Sequence, residues 1–489
     1  MSISSFTIQP LLVAAGIVVV VALVKAFHRG FMTPLRAVPG PWYAKFTNLV
    51  LKKQILSGKR MHYVHGLHEK YGPVVRVGPN EVDFADQAAF KAIHRIGGGF
   101  DKDPWYRSFR VGDSQDVFSM TDPKQHAQRR KLFAPLFSNS ALMSNWAPTV
   151  IDKVDLTIRK IKEEALRDGQ VDVFKWWTFM TADVISHLAF GEPFGLLNEG
   201  KKTYHLQKIE DASKFGLLCS ELPWVRNLAE WIPIRSVLEF NADEIVQKLA
   251  EAIIRRTRQS GIGAQNLFSK VIAANEKDSQ SFTDYQVAFE AGGFVVAGSG
   301  TTAVSLTYLV WAVLSNPTIQ QKLEAEVGAL QESYTDAELD KLPYLSAVID
   351  ETLRIYGAAP GALPRQVPPG GATLAGYFLP QGTTASTQAY SYHRDPMVYP
   401  QPERFHPERF ISPSGEYQAP SQGVFAPFGA GSRTCLGVHL ARIELRHAAA
   451  LFFRECKGAR LAPQTTPASM DMVNFFLVSP MSEQCWIQL

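Results

Sequence analysis

Cysteine is scarce in this sequence, with four in 489 residues. So few thiols in so long a chain give no disulfide framework, which favours a reducing compartment. A zinc site needs roughly four clustered Cys or His ligands, and Cys219, Cys456 and Cys485 form no Cys-x-x-Cys pair. A zinc protein is therefore poorly supported, and Cys435 needs another explanation.

Excess charge and dividing segments are also missing. A net charge of +4 is too small to predict nucleic acid as a partner. No Gly/Ser linker, repeat or low-complexity tract interrupts the chain, and a composition of 46% hydrophobic and 20% charged residues is typical of an ordered globular protein. We expect one large folded unit behind an N-terminal segment.

Charged side chains are absent from the first 24 residues. Residues 11–24 are an unbroken run of apolar residues and glycine, and residues 6–10 extend it to 19, close to the ~20 that a membrane-spanning helix needs. Basic residues follow this run, whereas a secretory signal usually begins with a basic region. The pattern predicts a membrane anchor over residues 1–30 that keeps the rest of the chain cytosolic, with a cleaved signal peptide as the alternative.

A proline-rich segment follows the apolar run. Pro34 and the sequence Val38-Pro39-Gly40-Pro41-Trp42 cannot continue a helix, because proline lacks an amide hydrogen and clashes with the preceding turn. Residues 31–42 are therefore predicted to form a stiff hinge, and residues 43–489 the main folded domain.

Short strands and long helices are expected in that domain. Two strands are predicted within residues 74–84 around a Gly-Pro-Asn turn, and a second β-rich patch within residues 373–386. Thr283 begins a capping box that opens a helix running to Ser315. The middle of this helix is almost all apolar or small, so it is a buried core helix or a membrane span. Its glycines and hydroxyl groups favour the core helix.

A glycine-rich loop carries the most informative cysteine. Residues 428–437 read Phe-Gly-Ala-Gly-Ser-Arg-Thr-Cys-Leu-Gly and deliver Cys435 to the start of a predicted helix over residues 438–452. The helix dipole and the nearby Arg433 are expected to bias this thiol toward the thiolate, a strong ligand for soft metals. The glycines would let a flat macrocycle lie against the loop. A buried structural thiol is the alternative, but it needs neither three glycines nor an arginine.

Two further motifs precede this loop in a fixed order. Glu351-Thr352-Leu353-Arg354 places a carboxylate and a guanidinium three residues apart on one helix face. Taken alone, such a pair is usually a surface ion pair worth less than about 1 kcal/mol. Downstream, residues 405–410 read Phe-His-Pro-Glu-Arg-Phe and include Arg409.

The order Glu-x-x-Arg, Phe-x-Pro-Glu-Arg-Phe and Phe-Gly-x-Gly-x-Arg-x-Cys-x-Gly resembles the cytochrome P-450 superfamily, from about Ala37 to the C-terminus. The resemblance implies a mainly α (α+β) fold with a long central helix, small β-sheets and an N-terminal transmembrane helix. It also implies haem b as cofactor, with Cys435 as the axial ligand of the iron. The overall style is similar to fungal microsomal members that act in secondary metabolism.

The resemblance carries over to individual residues. It implies that Glu351, Arg354 and Arg409 form a structural charge network behind the haem. Cations and donors for the haem propionates would be His126 and Arg130, four apart on a predicted helix, with Arg365 and Arg433. His126 stands where many members have tryptophan. Further cofactor contacts implied by the resemblance are Phe428, Gly429, Gly437 and Ala297.

The sequence departs from the family pattern on the helix expected opposite the cysteine. Residues 297–302, Ala-Gly-Ser-Gly-Thr-Thr, resemble the Ala-Gly-x-acid-Thr-Thr groove, with Gly300 where an acid is common. Thr301, beside Thr302, matches the hydroxyl that steers a proton in relatives. We expect the two glycines to open a local bulge in the helix. Without the acid, protons would reach the site through water near Ser299 and Thr301, or would arrive slowly, or the reaction would not require them. Alternatively, Gly300 only makes room for a bulky substrate.

Apolar residues near these motifs predict the substrate class. By the same resemblance, the expected lining is Phe118, Met120, Phe294, Val295, Ala359, Leu363, Phe475 and Phe476, although each taken singly is as readily explained as core. Together they predict an apolar cavity and a lipophilic, largely neutral substrate. Arg442, Arg446 and Lys457 form either an ordinary solvated face or a basic surface that docks an acidic electron donor.

These expectations combine into one functional hypothesis. It is a monooxygenase anchored in the endoplasmic reticulum membrane that inserts one oxygen atom from O2 into a lipophilic small molecule. Electrons would come from NADPH through a cytochrome P-450 reductase, with membrane lipid as a second partner and no nucleic acid. The missing acid at Gly300 motivates the alternative, a haem-thiolate isomerase or dehydratase that works without a reductase. A non-enzymatic haem protein is a further alternative.

Overall fold

The computed structural model describes residues 8–109, 115–202, 217, 218, 220–222, 266–268, 283–421, 423 and 425–489. Cys219 lies outside the described residues. The chain divides into two compact units: Met1–Asp103 with Ala362–Tyr392, and Pro104–Gly361 with His393–Leu489. Each unit is described by itself.

The first unit begins with a long apolar helix. Helix α1, Ile8–Phe27, is followed by a π-helical turn at His28–Met32 and by short 3-10 helices at Pro34–Ala37 and Trp42–Lys45. The apolar side chains described in α1, among them Val13, Leu23 and Val24, are exposed. Each proline of the following segment removes an amide donor. For this reason that segment forms short turns and does not extend the helix.

A buried arginine joins these turns to the first strand, β1, Val74–Gly78. The Arg76 guanidinium donates to the carbonyl oxygens of Leu35 (3.2 Å), Arg29 (2.9 Å) and Pro79 (2.7 Å). Burial lowers its pKa. Because the acceptors are main-chain oxygens from the turns and the strand end, Arg76 fixes the turns against the sheet.

One five-stranded sheet organises the first unit. Its order is β1-β2-β8-β5-β3, with β2 at Glu81–Phe84, β3 at Asp101–Lys102, β5 at Arg365–Gln366 and β8 at Thr384–Thr387. The predicted hairpin around Pro79–Asn80 is confirmed, since β1 and β2 pair antiparallel. The second β-rich patch is also confirmed: β6, Ala372–Leu374, pairs with β7, Tyr377–Leu379, before β8.

Short helices complete the first unit around an aliphatic core. They are α2 (Leu49–Leu56), α3 (Arg60–Tyr71), α4 (Gln87–His94) and α14 (Ala389–Tyr392). Strand β1 is buried along its whole length, and because successive side chains point to opposite faces, Val74 packs in one aliphatic cluster and Val75 and Val77 in another. The buried members of the first cluster include Val74, Val82, Phe84, Ile93, Val367, Leu379 and Ala385.

The second unit is mainly helical. Its helices, in chain order, are α5 (Pro123–Phe133), α6 (Asn139–Asn145), α7 (Ala147–Asp168), α8 (Val173–Phe190), α9 (Leu196–Glu199), α10 (Asp284–Leu314), α11 (Pro317–Gly328), α12 (Asp336–Asp340), α13 (Pro343–Tyr356) and α15 (Val438–Glu455). Small strands are β4 (Val171–Asp172), β9 (Arg460–Leu461), β10 (Met472–Phe475), β11 (Leu477–Pro480) and β12 (Trp486–Gln488).

The predicted long helix is confirmed as α10. Thr283 and Gln286 form the expected capping box, and Ser315 caps the C-terminal end. Among the described residues, Phe289–Leu314 is the stretch long and apolar enough to cross a bilayer, but 67% of its most apolar window is buried inside the protein. The helix is therefore covered by its neighbours, chiefly α8, as the core-helix interpretation expects.

The predicted bulge in α10 was wrong, because the helix continues regularly through its glycines. Packing explains one of them: a Cβ at Gly298 would lie 2.7 Å from Cγ1 of Ile185 in α8. Nearby, the Thr181 hydroxyl of α8 donates to the Ser299 carbonyl oxygen (2.5 Å). Close contact with α8 outweighs the roughly 1 kcal/mol cost of each helical glycine. Ser299 is itself buried, which disfavours a water chain through it.

Candidate functional site

Backbone geometry places Cys435 at the end of a folded loop. Gly429 and Gly431 have φ of 71° and 68°, where glycine is favoured. The Cys435 amide donates to the Phe428 carbonyl oxygen (2.9 Å), which closes the loop. Gly437, the residue before α15, has φ of −84° and is not conformationally required in the same way. Two of the three predicted glycine roles therefore rest on backbone conformation.

Cys435 is an exposed residue whose thiol is closely surrounded by protein. The residue is exposed to solvent, yet surrounding protein raises the pKa of the thiol by desolvation. Both are true of a group on the wall of an enclosed space. The Gly437 amide, which donates a hydrogen bond to the thiol, and the charge of Arg130 act in the opposite direction and lower the pKa.

The expected thiolate bias was therefore wrong for the protein alone. Burial outweighs the favourable amide and cation, so the pKa of Cys435 lies above its ordinary value. The cation that acts on the thiol is Arg130 and not the predicted Arg433. A positive ion bound to the sulfur would supply the charge that favours ionisation.

The predicted propionate residues divide between the units. Arg130 in α5 donates to the Thr434 carbonyl oxygen (2.8 Å), and Arg433 donates to the Met120 carbonyl oxygen (2.8 Å). His126 is buried on the same helix as Arg130. Arg365 lies in strand β5 of the first unit, buried, with its guanidinium donating to its own Pro364 carbonyl oxygen (2.9 Å). The second unit thus brings Arg130 and Arg433 to the cysteine loop.

Helix α10 has an accessible surface in an otherwise covered stretch. Ala297 is exposed and Gly300 and Thr301 are partly exposed, although the following Thr302 and Ala303 are buried. The Thr301 hydroxyl donates to the Ala297 carbonyl oxygen (2.7 Å). A Cβ at Gly300 would have one neighbour within 4 Å, Cδ1 of Leu477 at 3.8 Å. This surface therefore borders open space, with a hydroxyl on it and no side chain at position 300.

A buried carboxyl beneath this surface was missed by sequence reasoning. Glu444 in α15 shares a hydrogen bond with Thr302, and burial raises its pKa from 4.5 to about 8. A glutamate on an amphipathic helix is ordinarily solvated, so the sequence predicted nothing unusual here. The bond joins α10 directly to the helix that follows Cys435.

The predicted charge network is brought together in the structure. Nε and Nη2 of Arg354 donate to the two carboxylate oxygens of Glu351 (2.7 and 2.9 Å), and Nε of Arg409 donates to Oε1 (3.0 Å). The Arg354 guanidinium also donates to the His393 carbonyl oxygen (2.8 Å). Glu351 and Arg354 are fully buried. The motif therefore forms an internal network and not a surface ion pair.

The predicted substrate-lining residues separate into two groups. Phe118 and Phe476 lie in one ring cluster with centroids 5.5 Å apart, and the adjacent Phe475 is exposed. Ala359 is near the same hairpin, because the preceding Ala358 carbonyl oxygen accepts from the Val478 amide (2.9 Å). Phe294, by contrast, is buried in a separate ring cluster with Phe133, Phe137 and Phe268.

The remaining predicted lining residues are less exposed. Val295 and Met120 are buried. Leu363 lies in the first unit, where its amide donates to the Thr387 carbonyl oxygen (2.9 Å). Exposure therefore favours Phe118, Phe475 and Phe476 as lining over Phe294 and Val295.

The predicted basic face around α15 was wrong in one of its members, Arg446. Arg446 is buried and pairs with Asp336 (2.7 Å) and Asp340 (3.0 Å) of α12. Arg442 pairs with Asp350 (2.7 Å). Asp336 and Asp350 are buried carboxylates, so these two arginines neutralise internal charge. Arg442 stays partly exposed and Lys457 is exposed.

The second unit has the features that a haem needs. A desolvated thiol accepts an amide hydrogen bond, and the loop before it folds back through left-handed glycines. Arg130 uses one of its five N–H donors on Thr434, and guanidinium groups suit propionate carboxylates. The open surface at Gly300 provides space on α10. These donors and this space fit a flat, anionic iron macrocycle.

Comparison with known proteins agrees with this geometry. The cytochrome P-450 family model matches residues 38–484. The cytochrome P-450 monooxygenase stcB of Emericella nidulans is 40% identical over 95% of this chain and 90% of its own length. The monooxygenase tazI of Aspergillus terreus is 40% identical over 97% and 98%, and the methylphloroacetophenone oxidase of Cladonia uncialis is 33% identical over 76% and 85%. The chain therefore belongs to the cytochrome P-450 family of haem enzymes and is a monooxygenase of that family.

Proposed function

We propose that Cys435 is the axial ligand of haem b in a membrane-anchored monooxygenase that oxidises a lipophilic small molecule. The observation that carries this proposal is the exposed Cys435 at the end of the glycine loop, whose desolvated thiol accepts the Gly437 amide. Bound haem would supply the redox chemistry that activates dioxygen, with the thiolate pushing electron density toward the iron. The protein's own residues hold the sulfur, bind the propionates and handle protons.

The sulfur is held by main-chain and cationic groups. The Gly437 amide donates to Sγ, which orients the thiolate and stabilises its charge. Arg130 adds a positive charge that acts on the sulfur, and its guanidinium, with that of Arg433 and the His126 side chain, would take the propionates. Phe428, Gly429 and Ala297 would contact the macrocycle.

Protons would reach the site through α10. The Thr301 hydroxyl, held by the Ala297 carbonyl oxygen, would donate or accept a proton at the open surface beside Gly300. Thr302 connects that turn to Glu444, whose raised pKa of about 8 keeps a proton available near neutral pH. Glu444 would then replace the acid that position 300 lacks.

The cellular setting follows from the N-terminal segment. Residues 1–30, which include the exposed apolar helix α1, would anchor the protein in the endoplasmic reticulum membrane, with residues 31–42 as hinge and residues 43–489 in the cytosol. The same membrane would hold the NADPH-dependent cytochrome P-450 reductase that supplies electrons. The fungal origin of the relatives, one of which is named an oxidase of a methylphloroacetophenone, supports a role in fungal secondary metabolism.

Two measurements test this proposal. The ferrous carbonyl complex of the purified protein should show the red-shifted band of a thiolate-ligated haem, and Cys435→Ser should abolish it while Cys456→Ser, a buried cysteine elsewhere, should retain it. A histidine-type band in the wild type would overturn the proposal.

Turnover conditions separate the alternative reaction. A monooxygenase needs NADPH, reductase and O2, whereas an isomerase or dehydratase would turn over in the absence of any of them. The absence of an acid at Gly300 is the observation that favours the isomerase or dehydratase.

A further inference from the structure

The segment Asp116–Thr121, here called the strap, connects α10 to the Cys435 loop. At one end the Val117 amide donates to Oε2 of Glu290 in α10 (3.1 Å). At the other end the Arg433 guanidinium donates to the Met120 carbonyl oxygen (2.8 Å). The strap is therefore fixed at both ends to elements that border the proposed haem site.

Glu290 is the buried group that holds the first end. It is 1% exposed, and Nη1 of Arg129 in α5 donates to its Oε1 (2.6 Å). Both carboxylate oxygens thus accept from N–H donors, which favours the ionised form, although burial and the charge of Asp116 raise the pKa of Glu290. A carboxylate this deeply buried is costly unless its bonds are made. Its bonds tie α10, α5 and the strap together.

A glycine lets the strap lie close to α10. Gly293 is three residues after Glu290, on the same helix face, and a Cβ there would lie 2.6 Å from Oδ2 of Asp116. Within the strap, the Ser119 amide donates to Oδ1 of Asp116 (2.7 Å), and the Asp116 amide donates to the Ser119 hydroxyl (3.0 Å). These reciprocal bonds make the strap a rigid turn on the surface of α10.

Phe118 stands between the two fixed ends. Its ring lies 5.5 Å from Tyr106, 5.9 Å from Phe109 and 5.5 Å from Phe476, in edge-on contacts with all three. We call these four rings the aromatic wall. Phe118 is 37% exposed. Phe476 adopts φ of 77°, an uncommon conformation for a bulky residue, at the tip of the β10–β11 hairpin.

We propose that Glu290 is a positioning residue for substrate: by holding the Val117 amide against α10, it fixes Phe118 in the aromatic wall and sets the affinity for ligands that carry an aryl group. Edge-to-face ring contacts depend on orientation, so a displaced Phe118 would lose them. The inference rests on the proposed function, because it takes the aromatic wall as part of the substrate cavity. Glu290 itself touches no reacting atom.

Ligand titration of the full-length, haem-loaded protein tests this role. Imidazole and 4-phenylimidazole both bind haem iron through nitrogen and shift its absorption band, but 4-phenylimidazole alone carries an additional aryl ring to contact the aromatic wall as proposed. Glu290→Gln replaces one acceptor oxygen by a donor, so either Val117 or Arg129 loses its bond. We expect the affinity for 4-phenylimidazole to fall roughly tenfold and that for imidazole to change less than about twofold. Glu163→Gln, at an exposed ion pair with Lys160, is the matched control.

A double-mutant cycle shows whether Glu290 acts through Phe118. Phe118→Ala alone should lower the affinity for 4-phenylimidazole. In the Phe118→Ala background, Glu290→Gln should lower that affinity by less than about a further twofold, because the effects of coupled residues are not additive. Gly293→Ala, which displaces Asp116, should give the same pattern, with Gly66→Ala as control because no atom lies within 4 Å of its Cβ. Additive losses, or equal losses for both ligands, would overturn the inference.

The proposed function and this inference can fail separately. A wild-type protein without the thiolate-type carbonyl band overturns the proposed function. The inference alone is overturned if the wild type has the band but the affinity for 4-phenylimidazole is the same in Phe118→Ala as in the wild type. It is also overturned if Glu290→Gln and Gly293→Ala both leave that affinity unchanged.

Discussion

Glycines in the Cys435 loop and glycines in α10 look equivalent in the sequence, but different physical constraints require them. In the loop, Gly429 and Gly431 occupy left-handed conformations that residues with a Cβ resist. In α10, Gly293 and Gly298 are regular helical residues whose missing Cβ makes room for Asp116 and Ile185. The loop therefore depends on backbone conformation, and the helix depends on packing.

The two regions also differ in how charge is buried. Around the cysteine loop, Arg130 and Arg433 donate to carbonyl oxygens and are partly exposed. Beneath α10, Glu444 is enclosed with Thr302 as its hydrogen-bond partner. This contrast predicts that pH acts on the stability of the helix side through buried carboxyls, of which Glu444 is one.

The largest expected effect tests that carboxyl. The pKa of Glu444 is raised from 4.5 to about 8, so between these values the folded protein retains a proton that the unfolded chain has lost. Stability from this group is complete below about pH 4.5 and is lost as the pH rises through about 8. Glu444→Gln should match the wild type at pH 5 and exceed it at pH 9 by up to about 4 kcal/mol.

Urea unfolding at pH 5 and pH 9 measures this difference. Glu163→Gln, which removes an exposed carboxylate, controls for a general charge effect and should follow the wild type. Parallel pH curves for the wild type and Glu444→Gln would mean that Glu444 is ionised in the folded protein.

A packing variant tests the glycines of α10. Gly298→Ala should lower the free energy of unfolding by about 1–3 kcal/mol, because its Cβ would overlap Cγ1 of Ile185 at 2.7 Å. In an Ile185→Ala background the same change should cost much less, since the colliding atoms are gone. Thermal unfolding of the four proteins checks this. A full cost that persists with Ile185→Ala would point to backbone conformation instead of packing.

The matching variant in the loop should be insensitive to its neighbours. Gly429→Ala is expected to cost about 1–2 kcal/mol from its φ of 71° alone, because the built Cβ has only the Arg433 carbonyl oxygen near it, at 3.9 Å. Gly429→Asn should recover part of that loss, since asparagine tolerates the left-handed region. Gly437→Ala, at φ of −84°, should be close to neutral. Equal losses at the two positions would remove the conformational explanation.

Local patterns predicted the parts of the molecule that local chemistry controls. The capping box at Thr283 and the hairpin within residues 74–84 were confirmed, because side-chain caps and Gly-Pro-Asn turns act over a few residues. The bulge in α10 and the solvated Arg446 were wrong, because each depends on a partner distant in sequence: Ile185 for the first and Asp336 for the second.

The same distinction explains what sequence reasoning missed at the site. Glu290 and Glu444 carry no local sign of burial; they become unusual only when α5 and α10 cover them. The thiol pKa was predicted in the wrong direction because enclosure by the protein, which affects this thiol most strongly, is a property of the whole fold. The motif therefore indicated the cysteine, whereas the fold determines its environment.

At Gly300, neither packing nor conformation demands glycine, so the expected change in the stability of α10 is small. Gly300→Ala should stabilise α10 by up to about 1 kcal/mol, since its Cβ would make an ordinary contact with Leu477.

Gly300→Asp has the same room and restores the missing acid. If Glu444 supplies the proton, Glu444→Gln should lower the fraction of NADPH electrons recovered in product by roughly tenfold, and Gly300→Asp should recover much of it in that background while adding little to the wild type. Product, peroxide and NADPH measured together would decide this, and an equal gain in both backgrounds would show that proton supply does not pass through Glu444.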